Sequence, residues 1–537
     1  MTDRRVGRHG SRLQSLLGAT LEPSCCNTGC DRLGEPVPVS ELCTLLDVLR
    51  ERAVSDGARE GFRFLTYAAG GTLTESVLSF AALEHRARAV AAALQRRCCK
   101  GERALILCPP GLDYIAAFYG CVMAGVVAVP TYPPRNGQHW VRLATIIADA
   151  EATAILTNSD LSERLATWAG ADAALPWRLS VDKIEPDAAN DWRDPGVGPD
   201  DLVFLQYTSG TTGTPKGVMV GHSQLLDNAG RICAVTDLDR FSIMTLWLPP
   251  YHDMGLVGGI VLPVFVGSLC VLMSPDSFLQ MPARWPQSMS AYRATHTAAP
   301  NFAYRLCVDQ VSTEEAASLD LATLRVAACG AEVVRAETLR AFAEKFRPTG
   351  FAPRSFVPAY GLAETVLMAT AAGAFDETKA VAVSSADLSA GRLVLREQLD
   401  GLGAATESDG VTTAVSCGRV IAGHDLRIVD PETRQERAAG EVGEIWLSGP
   451  SVAAGFWRKP EATEETFKAR LADPAGAELE RDPGPDYLRT GDLGALLDGE
   501  LYVLGRIKEM VIVNGRNHYA TDLETTASAR TGRSPFR

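Results

Sequence analysis

Residues 207–218 read Tyr-Thr-Ser-Gly-Thr-Thr-Gly-Thr-Pro-Lys-Gly-Val. The run follows an apolar strand pattern, Leu202–Gln206, and precedes a helical pattern that starts near His222. Its residue types suit a polyphosphate. Gly210, Gly213 and Gly217 let backbone N–H groups approach anionic oxygens closely. Thr208, Ser209, Thr211 and Thr212 add hydroxyl donors, and Lys216 adds a positive charge. A plain surface loop has no need to concentrate hydroxyls, glycines and a lysine between two regular elements. The spacing G-x-x-x-x-G-K-[ST] is absent, so this is not a Walker A loop.

Outward from this run, short apolar stretches alternate with helical patterns. Arg103–Cys108, Val126–Val129, Ala154–Leu156, Ser268–Leu272 and Leu324–Ala328 read as strands; Leu46–Arg52, Leu78–Gln95 and Tyr114–Met123 read as helices. That alternation predicts an α/β fold, a mainly parallel sheet covered on both faces. After Ser416 the texture changes to shorter strands with turns, at Asp425–Val429, Glu444–Ser448 and Leu501–Leu504, which predicts an attached β-rich subdomain. Residues 1–41 lack a sustained period and are expected to be a poorly ordered extension.

The chain has 537 residues, 46% of them hydrophobic and 22% charged, with a net charge of −13. This composition suits a globular enzyme and argues against nucleic acid as the main partner. Met254–Met273 is apolar but broken by Gly255, Gly258, Gly259, Pro263 and Gly267, so it reads as a buried helix, loop and strand rather than a membrane span. The cysteines lie mostly in apolar runs, as expected of reduced thiols in a cytoplasmic protein. Cys25, Cys26 and Cys30 cluster, without a second ligand pair at zinc spacing.

The run around Lys216 resembles the phosphate-binding signature of the adenylate-forming (AMP-binding) superfamily. That superfamily includes acyl-CoA synthetases, luciferases and peptide-synthetase adenylation domains. Further segments follow in the family order. Trp247-Leu-Pro-Pro-Tyr-His-Asp-Met-Gly-Leu256 is similar to a motif of the fatty acyl-AMP ligases, and the resemblance implies that His252 gates the acyl pocket. A histidine that caps a turn is the competing reading of His252. Cys329-Gly-Ala-Glu332 resembles the adenine-binding loop, implicating Gly330, Ala331 and Glu332. Tyr360-Gly-Leu-Ala-Glu-Thr365 resembles the motif whose tyrosine stacks on adenine and whose glutamate helps hold Mg2+, which implicates Tyr360, Gly361 and Glu364. An aromatic face suits a base and a carboxylate suits a hard cation. Tyr487–Leu493 resembles the ribose-binding motif, with Asp492 as the ligand. Gly505–Met510 resembles the hinge, with Arg506 reaching ribose or phosphate and Lys508 on the rotation axis, so the resemblance implies a large domain over 42–505, its β-rich subdomain over 416–505, and a hinge with the stub of a small C-terminal domain over 506–537. Asn514–Tyr519 matches the start of the small domain. The stretch between Glu364 and Cys417 is where an insertion that hinders domain rotation in acyl-AMP ligases would fall.

The resemblance implies ATP-dependent conversion of a fatty acid to an acyl-adenylate, with Mg2+, release of pyrophosphate, and transfer to an acyl carrier protein or a polyketide or peptide synthase. Both reactants are anions, so catalysis reduces to alignment and charge neutralisation. Lys216 would hold the pyrophosphate and Thr365 would donate to the α-phosphate. Relatives carry a late lysine that bridges carboxylate and α-phosphate, and no lysine follows Lys508 here. Loss of one such donor costs about 2.7–4 kcal/mol. The expectation is therefore a nucleotide-binding core with weak or no adenylation unless another chain supplies the lysine. Two readings stay open beside this one: a long-chain fatty acyl-CoA ligase, separated by products formed with and without coenzyme A, and a non-catalytic nucleotide- or acyl-binding protein. There is no G-x-S-x-G elbow and no H-E-x-x-H pair.

Overall fold

The strand that leads into the glycine–hydroxyl run is part of a sheet of six strands. The computed structural model describes residues 42–68, 70–134, 137–169, 175–208, 215–403, 410–472, 484–513 and 516–518. All of them fall in one unit, Pro38–Arg537. In the first sheet, Trp177–Ser180, Ala152–Thr157, Arg103–Ile106, Val127–Pro130 and Leu202–Thr208 run parallel in that spatial order. Lys216–Gly221 then closes the edge, antiparallel to Leu202–Thr208.

That last strand corrects the sequence reading, which placed the glycine–hydroxyl run directly between a strand and a helix. Lys216-Gly-Val-Met-Val-Gly221 is short, apolar and partly β-branched, so it pairs before the chain can turn into the helix His222–Thr236. Its free edge is covered by a segment far along the chain. Trp457 N–H donates to Gly217 O and Met219 N–H to Gly455 O.

The second sheet holds Arg419–Val420, Thr370–Ala371, Phe356–Tyr360, Val326–Gly330, His296–Pro300, Ile243–Leu246, Leu269–Met273, Glu60–Tyr67 and Leu73–Ser79 in spatial order. The strands from Phe356–Tyr360 to Glu60–Tyr67 are mutually parallel, and antiparallel pairing appears only towards the two edges. The mainly parallel α/β expectation holds in both sheets. Leu78–Gln95, expected as one helix, divides instead: Ser79 Oγ accepts the Ala82 N–H, so the helix starts at Phe80 and Leu73–Ser79 is a strand.

Helix Leu112–Ala124 is apolar on all sides and buried from Tyr114 to Ala124. Its Phe118 ring lies 6.3 Å from Phe204 in the first sheet, and Tyr119 Oη donates to Ile260 O ahead of the second sheet. A side chain at Gly120 would sit 2.4 Å from Val90 in helix Phe80–Gln95, so the two helices touch closely there. Met254–Met273 resolves into buried helical turns through Val266, a left-handed Gly267 and the strand Leu269–Met273, as expected. Among the described residues, no helix is long and apolar enough to cross a membrane.

Antiparallel sheets make up the rest. Asp425–Val429, Gly443–Ser448, Leu488–Leu497 and Glu500–Arg506 form a four-stranded meander. Antiparallel pairing also precedes Ser416, in Leu395–Gln398, Ala380–Ser384 and Val411–Val415. Val511–Val513 pairs with Arg516–His518. Most of the described cysteines are buried thiols. The expected extension 1–41, with Cys25, Cys26 and Cys30, lies outside the described residues, as does 519–537.

Candidate active site

The carboxyl ends of parallel strands are where open α/β sheets place ligands. Here a cavity of about 790 Å3 opens at the ends of Val326–Gly330 and Phe356–Tyr360, and the antiparallel meander forms its other side. Thr208 and Lys216, the two ends of the glycine–hydroxyl run, line it. Ser209, Gly210, Thr211, Thr212 and Gly213 lie outside the described residues. The same cavity is lined by His252, by Gly330, Ala331 and Glu332, by Tyr360, Gly361 and Glu364, and by Asp492, Arg506 and Lys508. Segments spread over most of the chain thus meet at one place.

Thr365 is the exception. It is fully buried and outside the lining, and its hydroxyl donates to Leu362 O at 3.0 Å, closing the short turn that carries Glu364. The next residue, Val366, is held at φ 67°, a left-handed conformation that a β-branched side chain rarely adopts. Such strain persists only where the surroundings over-determine it. Gly361 is needed for the same turn: a Cβ there would stand 1.7 Å from Leu367 O. Gly330 likewise approaches Ala359 O too closely for a side chain, and Ala331 after it sits at φ 64°.

Charge in the site is arranged in pairs with one gap. Tyr360 Oη donates to Asp492 Oδ2 at 2.8 Å, and Arg506 Nε donates to Asp492 Oδ1 at 2.7 Å. Burial, and next the Asp492 charge, push the Tyr360 phenol well above its usual range, so it remains a donor. Lys216 Nζ rests 4.7 Å from the Phe456 ring centroid, on the face of an aromatic that follows the edge-covering segment. His252 is largely exposed and pairs through Nδ1 with Asp253 Oδ1 at 2.5 Å; that hydrogen bond raises its pKa. It precedes the short helix Asp253–Leu256 without a side-chain cap, so the turn-capping reading of His252 does not hold.

Glu364 is the gap. Its only exposure is partial, yet protein surrounds it, and desolvation raises its pKa to about 7. Among the described residues no cation pairs with it. A carboxylate enclosed this way, opening onto a cavity, fits a cation that arrives with a ligand. Among the described residues no group of three potential metal-ligating side chains exists, so such a cation would draw most of its ligands from phosphate and water.

The cavity is also lined by aliphatic side chains, Ile232, Leu238, Met244, Leu246 and Leu262, with the small Gly258, Ala298 and Ala328 and the polar Thr236, His296 and Thr297 among them. Sequence reasoning missed Phe456 under Lys216. It also missed Asp149, which accepts from Tyr207 Oη at 2.7 Å and from Lys459 Nζ at 2.6 Å beside the loop. Glu444 was missed too, although an acid within the apolar run Gly443–Ser448 was a visible signal.

A model of the AMP-binding enzyme family matches residues 64–457. The medium-chain-fatty-acid–[acyl-carrier-protein] ligase JamA of Moorena producens is 40% identical over 493 residues, covering 90% of this chain and 80% of that protein. The 4-hydroxyphenylalkanoate adenylyltransferase of Mycobacterium tuberculosis is 37% identical over 497 residues, covering 91% of this chain and 78% of that protein. A fatty acyl-adenylate ligase from L. pneumophila, solved in complex with acyl adenylate and pyrophosphate, superposes with a TM-score of 0.80 at 35% identity, covering 93% of this chain and 82% of that one. With the ordered motifs converging on one cavity and the match spanning most of the length, the chain belongs to the AMP-binding enzyme family.

Proposed function

We propose that this protein activates a fatty acid with ATP, forming an acyl-adenylate and pyrophosphate, and passes the acyl group to an acyl carrier protein or a polyketide or peptide synthase. The observation that carries the reading is one cavity lined both by charged residues, Lys216, Glu364, Asp492 and Arg506, which would take the nucleotide, and by aliphatic ones, the acyl arm, which would take the fatty chain. Relatives that match over most of their length act on fatty or aryl-alkanoic acids by their names, which supports the same substrate class.

In the reaction a carboxylate oxygen bonds to the α-phosphorus, the bond to the bridging oxygen breaks, and pyrophosphate leaves with the electron pair. No proton needs to move, so the residues act by holding charge and geometry. Lys216 and the hydroxyl run, Thr208 and Ser209 to Gly213, take the leaving pyrophosphate. Tyr360 lies against adenine, with Gly330, Ala331, Glu332 and Gly361 shaping its edge. Asp492 takes the ribose hydroxyls, and Arg506 stands ready between ribose and phosphate. Glu364 would hold Mg2+, which supplies neutralisation of phosphate oxygens when bound. Thr365 holds the Glu364 turn, and His252 stands at the mouth of the acyl arm. The division into a large domain over 42–505, a β-rich part over 416–505 and a hinge from Arg506 belongs to the same proposal. So does a cytoplasmic location, which the buried free thiols support.

Product analysis tests it. With ATP, Mg2+ and fatty acids of graded length, mass spectrometry is expected to detect acyl-adenylate, with pyrophosphate in equal amount, and little acyl-CoA when coenzyme A is added. Efficient acyl-CoA formation would favour a CoA ligase. ATP binding with no adenylate for any acid, even with a relative's lysine-bearing small domain added in trans, would favour a binding protein.

A further inference from the structure

Glu444 is a carboxylate 2% exposed that plays no part in the reading above. Its strand, Gly443–Ser448, pairs antiparallel with Leu488–Leu497, and the register breaks between them. Glu444 lies opposite Leu493 and Trp446 opposite Arg489, so Thr490, Gly491 and Asp492 are squeezed out of the ladder as a bulge. Bulges re-aim side chains beside functional sites. Gly491, at φ 72°, supplies the left-handed turn.

Glu444 fills the hollow that this bulge leaves. Its Oε1 accepts the Gly491 N–H at 3.1 Å. Its Oε2 accepts from Arg489 Nε at 3.0 Å, Arg489 Nη2 at 2.9 Å and Trp446 Nε1 at 2.9 Å. Thr490 completes the turn: its hydroxyl donates to Ile445 O at 2.7 Å and accepts the Asp492 N–H at 3.1 Å. From this turn the Asp492 carboxylate reaches both Tyr360 Oη and Arg506 Nε.

We propose that Glu444 is a positioning residue: it staples the Thr490–Asp492 bulge so that Asp492 is aimed at the ribose hydroxyls of the nucleotide. This rests on the assignment of Asp492 as the ribose ligand. A carboxylate that only neutralised Arg489 in the core would affect stability and every ligand alike. A staple acts first on the ribose hydroxyls that Asp492 takes, so it separates nucleotides with and without them.

The test is equilibrium binding of ATP and of 2′,3′-dideoxy-ATP, measured by calorimetry on the whole chain. The native protein is expected to prefer ATP. In Glu444→Gln the amide oxygen stays with the donors of Arg489 and Trp446 and the NH2 turns to the Gly491 N–H, which it cannot accept, so ATP affinity is expected to fall about tenfold while dideoxy-ATP affinity stays within about twofold. Glu444→Asp guards against misfolding: it keeps the charge beside Arg489 but is one methylene too short for Gly491 N–H, and the same loss of preference is expected. Trp446→Phe removes one donor without touching the bulge, so it is expected to lower Tm and keep the preference. Retained preference in both Glu444 variants, or equal loss for both nucleotides, overturns the proposal. No preference in the native protein would instead bring down the ribose assignment of Asp492, and the staple with it.

Discussion

The two walls of the cavity are built on opposite principles. On one wall, parallel strands buried on both faces end in backbone turns, Gly330–Glu332 and Tyr360–Thr365, whose shape depends on absent side chains and strained φ angles. On the other, an antiparallel meander presents side chains, Asp492 and Arg506, from a bulged strand and its neighbour. A parallel-strand end has no tolerance for added atoms because both faces are packed. A bulge gives ground, because its residues stand outside the ladder with Gly443–Ser448, although Asp492 still pairs with Arg506 on the other side. The first wall therefore couples nucleotide binding to folding, and the second tunes affinity within a fold that survives change.

Gly361→Ala is the strongest way to break this contrast. The added methyl would stand 1.7 Å from Leu367 O, against backbone that cannot swing away. A stability loss of roughly 3 kcal/mol or more in urea denaturation is expected, with nucleotide binding lost. A loss under about 1 kcal/mol would show that this wall is softer than described.

How much of this was legible from residues alone follows the same divide. The run ending at Lys216 was readable from its own glycines, hydroxyls and lysine, whereas Gly330 and Gly361 were placed through the resemblance of their segments to family motifs. The supporting contacts were not readable, because they come from tertiary pairing. Asp149 is 58 residues from Tyr207 and 310 from Lys459, and no local pattern links them. The strands Lys216–Gly221 and Leu73–Ser79 were hidden for a related reason: each is settled by the partner it pairs with, and the neighbouring helix masked it. Thr365 was placed on phosphate because its type suited one, whereas the turn uses its hydroxyl on Leu362 O.

The next prediction concerns Glu364, whose pKa is raised from 4.5 to about 7 by desolvation. Its folded form holds a proton more tightly than its unfolded form. This group's contribution to stability therefore falls as pH climbs from about 4.5 to about 7. Metal binding needs the ionised form, so Mg2+-dependent ATP affinity is expected to weaken up to about tenfold for each pH unit below 7. Titrations of ATP affinity across about pH 5.5–8 check this. In Glu364→Gln the slope should disappear; an unchanged slope would remove Glu364 from the metal's surroundings.

The smallest effect sharpens the description of the loop. Phe456 lies under Lys216 on the edge of the first sheet and lines the same cavity. Phe456→Leu keeps the apolar contact and removes the ring face, and is expected to weaken ATP binding by about two- to fivefold. Unchanged affinity, measured by the same titration, would mean that Lys216 is held by something other than this ring.

The central claim is that nucleotide and acyl chain share one cavity. A fatty acyl sulfamoyl adenosine, a stable mimic of the adenylate, tests it in a single displacement experiment. The account predicts one mimic bound per chain, displaced both by ATP and by the free fatty acid. Displacement by ATP alone, or simultaneous binding of mimic and fatty acid, would contradict it.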